Sequence, residues 1–328
     1  MLNKTYPKIN IRSKCELSKR ISHKKLPRQD ALTLINDVKN NFEKYWKDNI
    51  SKSKPEKNKY VRNAKRTPLG KLLKIINSKI LAPHDNIVPN FIFGGPKGRD
   101  HVKAAYSLLG TYKKRTLLKA DLQGFFEQID EKNVIDFFLK CDCDYKTAKF
   151  LGYICCVFDG QKGSNSKKRV LARGFSTSSR LAVWCNLDVF IELDRLVKKR
   201  LKGYDPRLAI FVDDIGITAS RVPIDLMDNL YKEIKELFEG KKQKQPLILN
   251  DKKKDIKQHF EGMEILGSFL YRNKLKLGKK SFSNKQKIKS LLKEKNVTNM
   301  KKIKNKYRSI KQYEKYVEMQ GKQKNKIL

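Results

Sequence analysis

Two carboxylates stand side by side at Asp213 and Asp214, inside the apolar, β-branched run Leu208-Ala209-Ile210-Phe211-Val212-Asp213-Asp214-Ile215-Gly216-Ile217-Thr218. Burying one unpaired carboxylate is costly, and two adjacent ones repel unless cations lie between them. A divalent metal site answers both problems. The plainer alternative is a hairpin turn with both acids in water, because Asp-Asp is an ordinary turn dipeptide. A second run, beginning Leu117-Leu118-Lys119-Ala120-Asp121, shifts the balance, since it too reads as a strand ending at a single acid. Strands that deliver Asp121, Asp213 and Asp214 to one place make an oxygen ligand set suited to Mg²⁺, with Mn²⁺ as a substitute. Two such ions about 3.5–4 Å apart would activate an attacking hydroxyl and neutralise a departing phosphate.

The elements that must hold these acids show in the periodicity. Ala31, Leu34, Ile35, Val38, Phe42 and Tyr45 recur at helical spacing behind a cap at Asp30, and residues 51–59 are a polar, lysine-rich linker. Residues 69–81 read as a helix that Pro83 ends. After Asp121 come a helix over 134–139 capped by Asp130, a second over 145–158, a polar loop over 160–168 and one long amphipathic helix over 181–201. Residues 223–238 are helical again, with Ile224, Met227, Leu230, Ile234 and Leu237 on one face. This alternation predicts an α+β fold, a sheet covered by helices on one side and open on the other.

Composition narrows the partners. The 328 residues carry 75 Lys and Arg against 34 Asp and Glu, a formal charge of +41, and such a field attracts polyanions. Membranes are the other polyanionic surface, but no apolar run is long enough to span one and no signal peptide opens the chain. The expectation is therefore a cytoplasmic protein with nucleic acid as its partner. Cys15, Cys141, Cys143, Cys155, Cys156 and Cys185 form no Cys-x-x-Cys pair and have no His partners, which speaks against zinc and for reduced structural thiols. His23, His84, His101 and His259 are isolated, and no chemistry attaches to them.

In these motifs the chain resembles the reverse transcriptase family, and specifically its bacterial branch of retron, group II intron and phage-defence enzymes. Asp121-Leu122-Gln123-Gly124-Phe125-Phe126 resembles the first palm motif, and Phe211-Val212-Asp213-Asp214 the Tyr-x-Asp-Asp box with Phe in place of Tyr. Between them, the segment from Arg173-Gly174-Phe175-Ser176 to Ala182 is similar to Pro-Gln-Gly-x-x-x-Ser-Pro-x-Leu-Ala. Leu249-Asn250-Asp251-Lys252-Lys253 resembles the Asn-x-x-Lys motif, Ile265-Leu266-Gly267 the Leu-Gly turn, and residues 91–100 the Gly-Phe-x-x-Gly-Arg-Ser stretch. The resemblance covers residues 60–270. It departs at Arg173, where the family has Gln, and at Ser176 and Ser179, where it has prolines. The Asn-Ala-x-x-His signature of typical retron enzymes is missing near Ala104-Ala105, and their Val-Thr-Gly appears only as Val297-Thr298-Asn299.

The resemblance implies a right-hand polymerase: an N-terminal helical region and fingers over 1–116, a palm over 117–271, and a basic helical thumb over 272–328. It implies that Asp121, Asp213 and Asp214 hold two Mg²⁺ ions with help from the Leu122 carbonyl. Phe126 matches the aromatic that excludes a ribose 2′-hydroxyl; its alternative is a plain core aromatic. Gly174 would let backbone approach template or nucleotide, or is a turn glycine. Arg173 belongs to the same nucleotide-binding segment. Lys253 would protonate pyrophosphate, or sits on a solvated lysine face. Arg62, Arg66 and Arg99 are candidates for clamping a triphosphate. From Arg272 onward there are 20 basic residues and three acids, and Ile303, Tyr307, Ile310, Tyr313 and Val317 keep helical spacing. Lys304, Tyr307, Arg308 and Lys311 would follow a phosphate backbone, although a coiled-coil or partner helix remains open. The expected activity is RNA-directed DNA synthesis from dNTPs on an RNA template, a non-coding RNA in phage defence, with a DNA product and a partner protein or homo-oligomer open. Template-independent or protein-primed synthesis, and a catalytically degenerate RNA-binding scaffold, are the rivals.

Overall fold

The alternation around Asp121 and Asp214 produces a five-stranded sheet in the order Ile92–Phe93, Arg207–Phe211, Asp214–Ser220, Arg115–Asp121, Asp255–Lys257. The structure, a computed structural model, describes residues 6–240, 246–292 and 300–323. Val297-Thr298-Asn299 lies outside the described residues. The sheet is antiparallel except at one edge, where Ile92–Phe93 runs parallel to Arg207–Phe211. The chain forms two compact units that interleave along the sequence: residues 1–90, 94–98 and 124–191 in one, residues 91–93, 99–123 and 192–328 in the other.

In the first unit, local signals set most boundaries. Ser13 accepts from the Glu16 N–H at 3.1 Å and starts helix Lys14–Ile21. Helix Arg28–Asn41 begins ahead of the expected cap, with Pro27 at the cap position, so Asp30 lies in its first turn, where the helix dipole favours an acid. Thr67 caps helix Pro68–Ile76, which continues as a wider turn over Asn77–Leu81. Asp130 caps helix Glu131–Lys140 in a reciprocal box with Asn133, as its sequence predicts.

Two expected helices are corrected. Helix Tyr145–Cys155 stops early, because Cys156–Phe158 forms a strand paired with Arg169–Leu171. Residues 181–201 are not one helix but the end of Ser178–Cys185 and all of Leu187–Arg200. At the break, the Asn186 amide donates to the Ala182 carbonyl at 2.9 Å and competes with the helix for its own acceptor.

In the second unit, Asp100 accepts from the N–H groups of Val102 and Lys103 at 2.9 Å each and starts helix His101–Ser107. Helix Ile224–Glu239 packs on strands Arg115–Asp121 and Asp255–Lys257 through buried Met227, Leu230, Ile234 and Phe238. Leu117 shares a strand face with Asp121. It packs with Val102, Leu108, Ala209, Ile265, Leu275 and Val317 in one core cluster. That face is therefore not open along its length, contrary to the sequence expectation. Helix His101–Ser107, the three-stranded sheet Met263–Ile265, Ser268–Tyr271, Lys274–Leu277, and helix Met300–Gln323 cover it. A Cβ on Gly216 would run into Leu108 and Ile265, so this strand position has room only for glycine. Among the described residues no helix is long and apolar enough to cross a membrane.

Candidate active site

The acids lie at the end of the covered face. Strand Arg115–Asp121 pairs with Asp214–Ser220 along its whole length, and the register sets Asp121 directly opposite Asp214. Opposed residues of an antiparallel pair have Cβ atoms about 4.5–5.5 Å apart, so two carboxylates are forced together by backbone pairing alone. The hairpin between Arg207–Phe211 and Asp214–Ser220 turns on Val212 and Asp213, with Phe211 opposite Asp214. Asp213 is thus a turn residue, while Asp214 opens a strand. Val212 sits at φ +58°, a left-handed conformation that a β-branched residue adopts only under strain.

Hydrogen bonds tie this tip to its neighbours. The Leu122 N–H donates to the Asp213 carbonyl at 2.8 Å, and the Asn250 N–H donates to the Asp121 carbonyl at 2.8 Å. Since N–H and C=O of an extended residue point to the same side, the Leu122 carbonyl also faces the hairpin. The turn Asp251–Lys253 brings the Lys253 Nζ to 2.6 Å from the Asp121 Oδ1. The Asp121 side chain is 5% exposed and that of Lys253 48%. Burial, and then the charge of Asp213, push the Asp214 carboxyl up to about 6, with Lys119 and Lys253 pulling the other way.

Lys119 is a member of this site that sequence reading passed over. It lies two residues before Asp121, on the same strand face. With His101, Phe211, Asp214, Glu264, Leu266 and Gly267 it lines a cavity of about 380 Å³. His101, to which no chemistry was attached, meets the Tyr313 hydroxyl at 3.0 Å, and the Tyr316 hydroxyl donates to Asp100 at 2.7 Å. The apolar stripe of helix Met300–Gln323 is therefore anchored by polar contacts as well as by Val317. Lys304, Arg308 and Lys311 are exposed on that helix, and Tyr307 is half-buried with the Lys311 ammonium 5.3 Å from its ring centre. Arg99 donates to the Ile92 carbonyl at 3.0 Å.

The remaining candidates fall in the first unit. Phe125 and Phe126 are both buried, so the choice of which one faces inward does not arise. Arg173 forms a two-pronged ion pair with Glu127, Nε to Oε1 at 3.0 Å and Nη2 to Oε2 at 2.9 Å, and its guanidinium lies 4.7 Å from the Phe126 ring centre. Gly174 has φ +101°, and a Cβ there would strike the Arg62 carbonyl and the Val61 side chain. Internal packing already explains this glycine. Arg62 is also engaged: it pairs with Asp48, donates to the carbonyls of Phe158 and Gly160, and lies between the rings of Trp46 and Tyr60. That geometry corrects the expectation of a triphosphate clamp at Arg62. Arg66 is exposed at φ +62°, in the turn before the Thr67 cap.

Residues 50–279, well over half of the chain, match the family described as reverse transcriptase (RNA-dependent DNA polymerase). The chain belongs to that family. Its mixed α/β content and antiparallel-dominated main sheet accord with that membership. None of the curated proteins matches it. Among solved structures it is similar to telomerase of Candida albicans in complex with a TWJ fragment of telomeric RNA, at 13% identity and TM-score 0.42 over 64% of this chain and 39% of that one. It is also similar to apo telomerase of Candida tropicalis truncated from the C-terminal domain, at 12% identity and TM-score 0.40 over 64% of this chain and 45% of that one. The chain thus spans less than half the length of either telomerase chain.

Proposed function

We propose that this protein copies RNA into DNA by two-metal phosphoryl transfer, adding dNTPs to a primer at Asp121, Asp213 and Asp214. The observation that carries the reading is the register that opposes Asp121 to Asp214. Reverse transcriptases generally use divalent metal ions, and the residues here fit such an ion. All the donors are oxygens, and the Asp214 carboxyl is raised first by burial and then by the Asp213 charge, both of which a bound cation would offset. Among the described residues no three acidic, His or Cys side chains already surround one point. Mg²⁺ needs only one or two protein carboxylates, because water and substrate phosphates complete its shell. When bound, the ions supply Lewis-acid activation of the primer 3′-hydroxyl and charge neutralisation at the pyrophosphate.

The protein's own groups do the rest. Asp121 and Asp214 hold charge at the end of the sheet, and the Leu122 carbonyl adds a dipole from the hairpin side. Lys253 neutralises Asp121, and its half-exposed ammonium is the group that would donate a proton to pyrophosphate. The cavity beside Asp214 takes the primer terminus, with Lys119 as its cation. Phe126 excludes the 2′-hydroxyl of a ribonucleotide. Residues 1–116, 117–271 and 272–328 serve as fingers, palm and thumb, and Lys304, Tyr307, Arg308 and Lys311 follow the phosphate backbone. The resemblance to the bacterial branch supports a cytoplasmic antiphage role on a dedicated non-coding RNA.

Sequencing nucleic acid that co-purifies with the protein, beside a variant carrying Asp213→Ala and Asp214→Ala, tests the reading. A defined RNA in both samples with complementary DNA only in the parent supports it. DNA unrelated to any bound RNA moves the function to untemplated synthesis, and RNA without DNA in either moves it to a scaffold.

A further inference from the structure

We propose that Arg173 is a positioning residue that fixes the selectivity of the nucleotide site by bracing Phe126. The inference rests on the reading of Phe126 as the group that excludes a 2′-hydroxyl. An aromatic ring can reject one extra oxygen only if it cannot move aside. Phe126 stands on the one-turn helix Phe125–Gln128, and a single turn is too short to hold itself by backbone hydrogen bonds. Among the described residues, two ring contacts bear on it. The Phe125 ring meets it edge-on at 5.9 Å, and the Arg173 guanidinium lies 4.7 Å from its centre.

The guanidinium is itself immobilised. Its fork grips both oxygens of Glu127, the residue next to Phe126, and both partners' side chains are 19% exposed. The Arg173 backbone is held as well, since its carbonyl accepts from the Arg62 N–H at 2.6 Å. Phe126, Glu127 and Arg173 thus close a ring of contacts in which each fixes the next. The cavity that Arg173 and Glu127 line measures about 10 Å³, room for about one water. The chain differs from its family at this position, with Arg173 where Gln is usual. Glutamine cannot form the two-pronged charged pair, nor place a cation over the ring.

The test is primer extension on poly(rA) with an oligo(dT) primer, supplied with dTTP or with UTP. Its readout is the ratio of kcat/KM for the ribonucleotide to that for the deoxynucleotide. Phe126→Ala is the reference and raises the ratio. Arg173→Met and Glu127→Gln each raise it by about three- to thirty-fold, the factor that a desolvated cation–π contact is worth. The double variant goes no further than the single ones, because either change removes the same brace. General damage to the fold lowers both rates together and leaves the ratio unmoved. A parental ratio in both single variants, beside a raised ratio in Phe126→Ala, overturns the brace. An unchanged ratio in Phe126→Ala overturns the gate reading and this inference with it. A second readout needs no turnover: para-fluorophenylalanine in place of Phe126 gives one fluorine resonance, which Arg173→Met moves toward the free amino-acid position. No movement overturns the proposal.

Discussion

The arginines of the first unit and the aspartates of the second handle charge in opposite ways. Arg62, Arg173 and Arg180 each close their charge locally, against Asp48, Glu127 and Asp85, with further donors spent on carbonyls, an asparagine or an aromatic ring. Asp121, Asp213 and Asp214 crowd negative charge at a strand end, where the half-exposed Lys253 ammonium meets one Asp121 oxygen and the Asp214 carboxyl is raised. The contrast separates structural charge from functional charge. A chain with +41 net charge has many arginines, and those that are buried and satisfied hold the fold together. A crowd of carboxylates at a strand end is the kind of cluster that marks a candidate ligand site.

Four experiments break or sharpen this contrast. The largest effect belongs to Asp213→Ala with Asp214→Ala, which should lower nucleotide incorporation by about 10³-fold or more, the scale of electrostatic transition-state stabilisation, while RNA binding persists in a gel-shift assay. Next, Arg62→Ala takes the buried cation from Asp48, leaving that carboxylate with the Lys162 N–H, and should cost about 3–5 kcal/mol of stability by denaturant unfolding. A loss below about 1 kcal/mol would return Arg62 to the pool of surface cations.

The third prediction runs the other way, toward greater stability. The Asp214 carboxyl is raised from 3.8 to about 6, so the folded protein binds that proton more tightly than the unfolded chain does. Ionisation therefore costs stability: the cost is absent below the unfolded value, grows between the two, and is complete above about pH 6. Asp214→Asn should raise the metal-free Tm at pH 7.5, by a gain on the order of 1–3 kcal/mol, and the gain should vanish near pH 3.5 and shrink when Mg²⁺ is added. A variant less stable than the parent at pH 7.5 would remove the argument that this carboxylate is strained. The smallest effect is expected at the exposed face of helix Met300–Gln323. Lys304→Ala, Arg308→Ala and Lys311→Ala should leave Tm unchanged, and each should reduce the salt slope of RNA binding by about 1.

Much of the family pattern is legible in the sequence alone. Residues 60–270 carry the resemblance, and residues 50–279 match the family. Asp130 was read as a cap because an acid before an apolar periodic run has one common purpose. The extended helix over 181–201 was misread because amphipathic periodicity continues through Asn186, and the back-bond that breaks the helix leaves no trace in the pattern. Arg62 was misassigned for a related reason. Nothing in the local sequence tells a buried arginine from an exposed one, and its partners Asp48, Phe158 and Gly160 are far away along the chain. Lys119 could have been found, since a lysine two residues before Asp121 must share its strand face.

By itself the sequence determined which chemistry is available. Residue types, their order and hydrophobic period are local properties, and they fix the acids, the strands that carry them and the family. Register, burial and charge pairing are properties of distant segments meeting. Only the tertiary structure could oppose Asp121 to Asp214, close the face beyond them with helix His101–Ser107, and decide that Arg173 grips Glu127 beneath the Phe126 ring. Those outcomes depend on which backbones pair and which side chains lose water together, and neither is written within reach of any one motif.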